Sequence, residues 1–135
     1  MEQNRRTWGR RVLLVEETDH RFEVRGSTIP GAGRGLFARV FLLIGNRLEV
    51  VGVLVPADSP ADACTQYADH HKFRVGDNLL IPLGFGAMVN HSTTPNMMKV
   101  IEEQRVFLEV IRPVSPGEEM VFTYPESALQ RFGIS

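Results

Sequence analysis

Twelve glycines and eight prolines divide the 135 residues so finely that little room is left for long helices. Few stretches keep a helical period, and the apolar residues fall in short runs rich in branched side chains. Such runs suit short strands joined by turns. Val12–Val15, Phe22–Val24, Leu36–Arg39, Leu48–Val55, Leu79–Leu83, Arg105–Ile111 and Met120–Tyr124 are the expected strands. Pro56–Pro60 and Ser115-Pro116-Gly117 read as turns. Ala61–His71 is the best helical segment, and Ser127–Phe132 offers a shorter one. With no repeat and no linker, the expectation is one mainly β domain.

Several function classes are disfavoured. The longest apolar runs, Val40–Ile44 and Val50–Val55, are too short to span a bilayer, and no signal-peptide pattern opens the sequence. A cytoplasmic protein with no membrane partner is expected. The lone Cys64 rules out an internal disulfide framework, and the net charge of −1 argues against direct nucleic-acid binding. Arg5, Arg6, Arg10 and Arg11 form a basic start that reads as a solvated tail. His70 and His71 lie near Asp69 and Asp77, but no metal-ligand spacing is matched. Cys64 has no context for a nucleophile and reads as half-buried.

Three segments carry chemistry. Gly31-Ala-Gly-Arg-Gly-Leu-Phe-Ala38 puts glycines at alternate positions, where backbone can adopt dihedrals closed to other residues and approach a ligand. It is neither the dinucleotide fingerprint nor a Walker loop; alone it reads as a glycine-rich hairpin turn. The second segment, ending in Asn90-His-Ser-Thr-Thr-Pro-Asn96, is dense in hydrogen-bonding groups. An asparagine offers both donor and acceptor, so it can hold an ammonium–carboxylate ligand or satisfy buried backbone. Ser92 and Asn96 read as structural. In the third, Val114–Tyr124, a turn delivers Glu118 and Glu119 before a strand ending in tyrosine. Adjacent residues of an extended chain face opposite ways, so the two glutamates are read as turn and structural residues, not a catalytic pair.

Together the segments resemble the SET-domain protein-lysine methyltransferases, in their residues, order and spacing, from about Phe22 to Tyr124. Residues 1–21 would then be an N-terminal extension and 125–135 a short tail. The resemblance implies a SET (β-clip-like) fold of several small sheets, with the final strand threaded near the asparagine motif as a pseudoknot. It further implies S-adenosylmethionine as cofactor. Backbone around Gly33, Arg34 and Gly35 would hold the methionine portion, and Asn90 its amino group. Backbone at His91 would meet the adenine. Tyr124 would sit where methyl donor and lysine meet, and Tyr67 would line the lysine channel. No metal is required.

Only a neutral amine is nucleophilic. Removing the proton of a lysine with pKa about 10.4 near neutral pH costs about 4–5 kcal/mol. An apolar channel and the adjacent sulfonium would lower that cost. Tyr124, itself a weak acid, suits orientation better than base catalysis. The rival from another class is a SET-like module that has lost catalysis and binds proteins. Pro125 follows Tyr124 where the family commonly has glycine, and Phe132 is the only aromatic after Tyr124 that could complete a lid. Val40-Phe-Leu-Leu-Ile44 replaces mostly polar family positions. This run should be apolar on both sides, so it is expected either to be covered by residues before Phe22 or to form a homodimer.

Overall fold

The computed structural model describes residues 18–65 and 72–124. Its strands form three small sheets. The first contains β1 (Phe22–Gly26), β2 (Arg34–Ala38), β7 (Asn90–His91) and β10 (Glu119–Phe122), in the order β1-β2-β10-β7. The second is β3 (Arg47–Val50), β9 (Arg105–Val110) and β8 (Met97–Glu102). The third is β4 (Gly52–Pro56), β6 (Asn78–Pro82) and β5 (Phe73–Val75). The fold is mainly β, as the punctuation of the sequence requires.

Alternation sets the packing. In β9, Val106, Leu108 and Val110 are buried while Arg105 is exposed and Phe107 and Glu109 lie between. These residues join Leu36, Leu42, Met97, Val114 and Met120 in one core. β2 departs from alternation, with Leu36, Phe37 and Ala38 all buried. It lies between β1 and β10, and the Arg25 guanidinium covers the Phe37 ring at 4.2 Å from its centroid. Burying a side chain of this size stabilises the fold by about 1.5–3 kcal/mol.

Two expectations need correction. Leu48–Val55 is not one strand: the chain leaves β9 after Val50 and joins β6 from Gly52, so Val51 marks a change of sheet. A side chain at Gly52 would collide with the Ile81 carbonyl, which makes glycine the hinge residue. Of the helix expected over Ala61–His71, the described residues hold α1 (Pro60–Ala63), a single turn that Ser59 caps by accepting from the Asp62 amide, and residues 66–71 lie outside them. Because this turn buries nothing, Cys64 at its end is exposed rather than half-buried. Four elements were not anticipated: the short strands β5 and β7, the strand β8 and a 3-10 helix over Gly84–Met88. Val12–Val15, Tyr67, His70, His71 and Ser127–Phe132 lie outside the described residues. Among the described residues no helix is long and apolar enough to cross a membrane.

The last strand carries the site. β10 pairs antiparallel with β2 and parallel with β7, aligning Val121 with Asn90 and Phe122 with His91. Asn96 clamps it from the following loop. Its Oδ1 accepts from the Val121 amide at 2.9 Å, and its Nδ2 donates to the Glu119 carbonyl at 2.9 Å. Only 1% exposed, Asn96 satisfies backbone that would otherwise be orphaned in the core. Ser92 is likewise structural: its amide donates to Phe122 O and its carbonyl accepts from Thr123 Oγ1. The structural reading of both residues holds, and the final strand runs against the asparagine motif as expected.

Candidate active site

The glycine-rich segment is the second half of a hairpin. β1 and β2 pair over Phe22–Gly26 and Arg34–Ala38, and the loop is closed by Ser27 N donating to Gly33 O at 2.8 Å. Gly31 and Gly33 sit at φ of 79° and 75°, a region costly for residues with a side chain. Nothing lies within 4 Å of the position a Cβ would take at Gly33. Gly35 serves differently. A Cβ there would collide with the Glu119 carboxylate and approach Asn90 Nδ2 to 3.1 Å. The space is filled by two of the chain's own side chains, laid directly on the β2 backbone.

Asn90 reaches across to that hairpin. Its Nδ2 donates to Arg34 O at 2.9 Å and to Glu119 Oε2 at 3.0 Å. Both bonds use the amide nitrogen, which leaves Oδ1 as an acceptor. Glu119 also accepts from Ser27 Oγ at 2.8 Å, Thr28 N at 2.9 Å and Thr28 Oγ1 at 2.8 Å. Burial raises the pKa of this carboxyl, but the bonds from Asn90, Thr28 and Ser27 outweigh it and hold the group below its ordinary range. Glu119 is therefore ionised at neutral pH.

His91 and Tyr124 form the other wall. Nδ1 of His91 accepts the Tyr124 amide proton at 3.0 Å, which fixes the ring as neutral with its proton on Nε2. Burial pushes the His91 pKa down, in the same direction. Nε2 is buried without a partner, the only such side-chain atom among the described residues. The Tyr124 ring lies 5.2 Å from both the His91 and Phe122 rings, and its hydroxyl donates to Val89 O at 3.3 Å. At 7% exposure, burial pushes its pKa above the ordinary phenol value. This hydroxyl stays protonated, so it can donate a hydrogen bond but cannot serve as a base near neutral pH.

The sequence motifs thus meet: Arg34, Gly35 and Asn90 share one contact set, and His91 and Tyr124 an adjoining one. Tyr67 lies outside the described residues. Glu119, Ser27 and Thr28 also belong to the site, though no sequence pattern singles them out for it. Glu118, its neighbour, is a turn residue as expected, accepting from the Ser115 amide at 2.9 Å. Among the described residues no cluster of histidine, cysteine, aspartate or glutamate could hold a metal ion.

The family model for the SET domain matches residues 33–125, from the glycine hairpin to just past Tyr124. The chain belongs to the SET-domain family. Among solved structures, this SET domain is similar to a chain of the Chaetomium thermophilum polycomb repressive complex 2, at 23% identity and TM-score 0.68. The match covers 78% of this chain and 15% of that one. A chain of ctPRC2 in an autoinhibited conformation bound to S-adenosylmethionine matches at 20% identity and TM-score 0.67, over 83% and 16%. A Plasmodium falciparum protein named as a candidate histone methyltransferase matches at 18% identity and TM-score 0.62, over 78% of this chain and 94% of that one. These likenesses concern the fold, and the chain spans less than a fifth of the polycomb chains it matches. No curated protein matches it.

Proposed function

We propose that this SET domain is an S-adenosylmethionine-dependent methyltransferase acting on the ε-amine of a lysine in a protein substrate. The observation that carries the reading is the meeting of hairpin and asparagine motif at Arg34, Gly35 and Asn90. The residues present fit the cofactor. Oδ1 of Asn90 is an acceptor for an ammonium, and the backbone at Gly33 lies open. The unpartnered Nε2–H of His91 is a donor that a bound group with acceptors would satisfy.

When bound, S-adenosylmethionine supplies a methyl group made electrophilic by its sulfonium. The chain's own residues do the rest. Asn90 and the backbone of residues 33–35 bind and orient the methionine end, and backbone at His91 meets the adenine. Tyr124 offers a protonated hydroxyl in a largely buried aromatic cluster, suited to orienting the amine and excluding water. Orientation of this kind supplies a large part of the acceleration in two-reactant chemistry. Tyr67 completes the lysine channel in this reading. The intact set of Asn90, His91 and Tyr124 favours an enzyme over an inactive binding module.

The partner is a protein bearing the target lysine, met in the cytoplasm, or in the nucleus if it is eukaryotic chromatin. A homodimer is the second element of the proposal. Phe41, Leu43 and Ile44 are 73%, 67% and 64% exposed, and Val40 beside them is also exposed. Leu42 between them is buried in the core, and exposed apolar side chains gathered on one surface commonly mark an interface.

The first test is ligand-induced stabilisation. At a concentration a hundred times its Kd, a ligand that binds only the native state adds about 2.7 kcal/mol of stability. S-adenosylmethionine should raise the melting temperature of the purified protein. An unchanged melting temperature at millimolar cofactor would count against the reading.

A further inference from the structure

One carboxylate joins the hairpin loop to the asparagine motif. Glu119 Oε2 accepts from Ser27 Oγ and Asn90 Nδ2, while Oε1 accepts from the amide and hydroxyl of Thr28. A carboxylate has about four lone-pair sites, so these four donors saturate it. The group has no capacity left for a ligand's ammonium. It does, however, decide which end of the Asn90 amide that ammonium meets.

An amide nitrogen carries two protons, and on Asn90 one goes to Glu119 and the other to Arg34 O. A turned-over amide would set its oxygen against the Glu119 carboxylate and the Arg34 carbonyl, acceptor against acceptor on both sides. The amide is thus locked with Oδ1 facing away from these two groups. An ammonium donates only, so this is the orientation it requires. The same carboxylate ties down Ser27 and Thr28, at the start of the loop leading to Gly33–Gly35.

We propose that Glu119 is a positioning residue for the amino-acid end of the cofactor, acting through Asn90 and the 27–28 end of the hairpin loop. The inference rests on the methyltransferase reading above. It explains why Gly35 has no side chain: any Cβ would displace the carboxylate and crowd the Asn90 amide beside it. It also gives Glu119 a role separate from that of Glu118, which its carboxylate bond to the Ser115 amide assigns to the turn.

The test compares two ligands that share adenosine and a thioether sulfur. S-adenosylhomocysteine carries the amino-acid end, and methylthioadenosine lacks it. Calorimetric titration of the full chain should show Glu119→Gln weakening S-adenosylhomocysteine at least tenfold while methylthioadenosine stays within twofold. Because Glu119 acts largely through Asn90, the double variant with Asn90→Ala should bind much more tightly than two independent losses would allow. If the glutamine variant does not fold, Glu119→Asp, which keeps the charge one methylene short, should show the same selective loss. Equal weakening of both ligands would mean a general fold defect and overturn the proposal, as would unchanged affinity. Failure of the unmodified protein to bind either ligand would overturn the methyltransferase reading, and this inference with it.

Discussion

Tyr124 donates its backbone N–H to Nδ1 of His91 across 3.0 Å, so the tyrosine's position depends on that nitrogen carrying no proton. Burial already holds the His91 pKa below its ordinary value of 6.5. The sign of the pH effect follows. Below about 6.5 the unfolded chain takes up a proton that the native ring resists, so stability is full above this value and falls on acidification toward the depressed native value. Melting temperature should therefore hold above about pH 6.5 and decline as the pH falls below it, with part of the slope due to His91. His91→Asn keeps an acceptor without a titrating ring and should flatten the profile. Parallel profiles for the two proteins would show that His91 contributes nothing to it.

Asn90→Ala removes both the Oδ1 acceptor and the bonds to Arg34 and Glu119. Taking a partner from a charged ligand group typically costs about 1–3 kcal/mol, or roughly five- to 150-fold in affinity. Calorimetric titration of a folded Asn90→Ala protein with S-adenosylmethionine should show a loss in that range. Unchanged affinity would remove Asn90 from the site.

Much of this arrangement was legible in the residues, and the exceptions have physical causes. The hairpin glycines, the asparagine motif and the terminal tyrosine were readable because each needs a particular residue type at a particular place. β8 was missed because its turn, Glu103-Gln104, takes positive φ at both residues without the asparagine or glycine that usually announces such a turn. The break at Val51 was hidden in an unbroken apolar run; only Gly52 marks it, through its approach to Ile81. Glu119 was set aside because neighbours on a strand face opposite ways. Alternation separates the pair, but it does not reveal the donors from residues 27, 28 and 90 that face Glu119. The pairing of β10 with β7 joins segments some thirty residues apart, and only the family resemblance anticipated it.

Tyr67→Ala tests the channel. If Tyr67 lines it, the variant should lower the rate on a peptide substrate or change the number of methyl groups added, with cofactor affinity nearly intact. Mass spectrometry of the product counts them. An unaltered rate and methylation pattern would exclude Tyr67 from the site.

Phe41→Glu tests the assembly. With Phe41 at 73% exposure, the charge meets no core in a monomer, but it would be buried in a dimer formed through the exposed apolar surface. Sedimentation across a wide concentration range should show the unmodified protein dimerising and the variant remaining monomeric. A strict monomer at high concentration in both cases would end the dimer proposal.

The most direct measurement of the central claim is methyl transfer itself. The purified protein is incubated with isotopically labelled S-adenosylmethionine and a cell extract, and labelled peptides are sequenced by mass spectrometry. The account predicts label on lysine ε-nitrogens. Tyr124→Phe should cut transfer by about tenfold or more while cofactor affinity stays near that of the unmodified protein. Contradiction would come from a protein that binds the cofactor yet labels no lysine, or from a phenylalanine variant that labels as fast as the original.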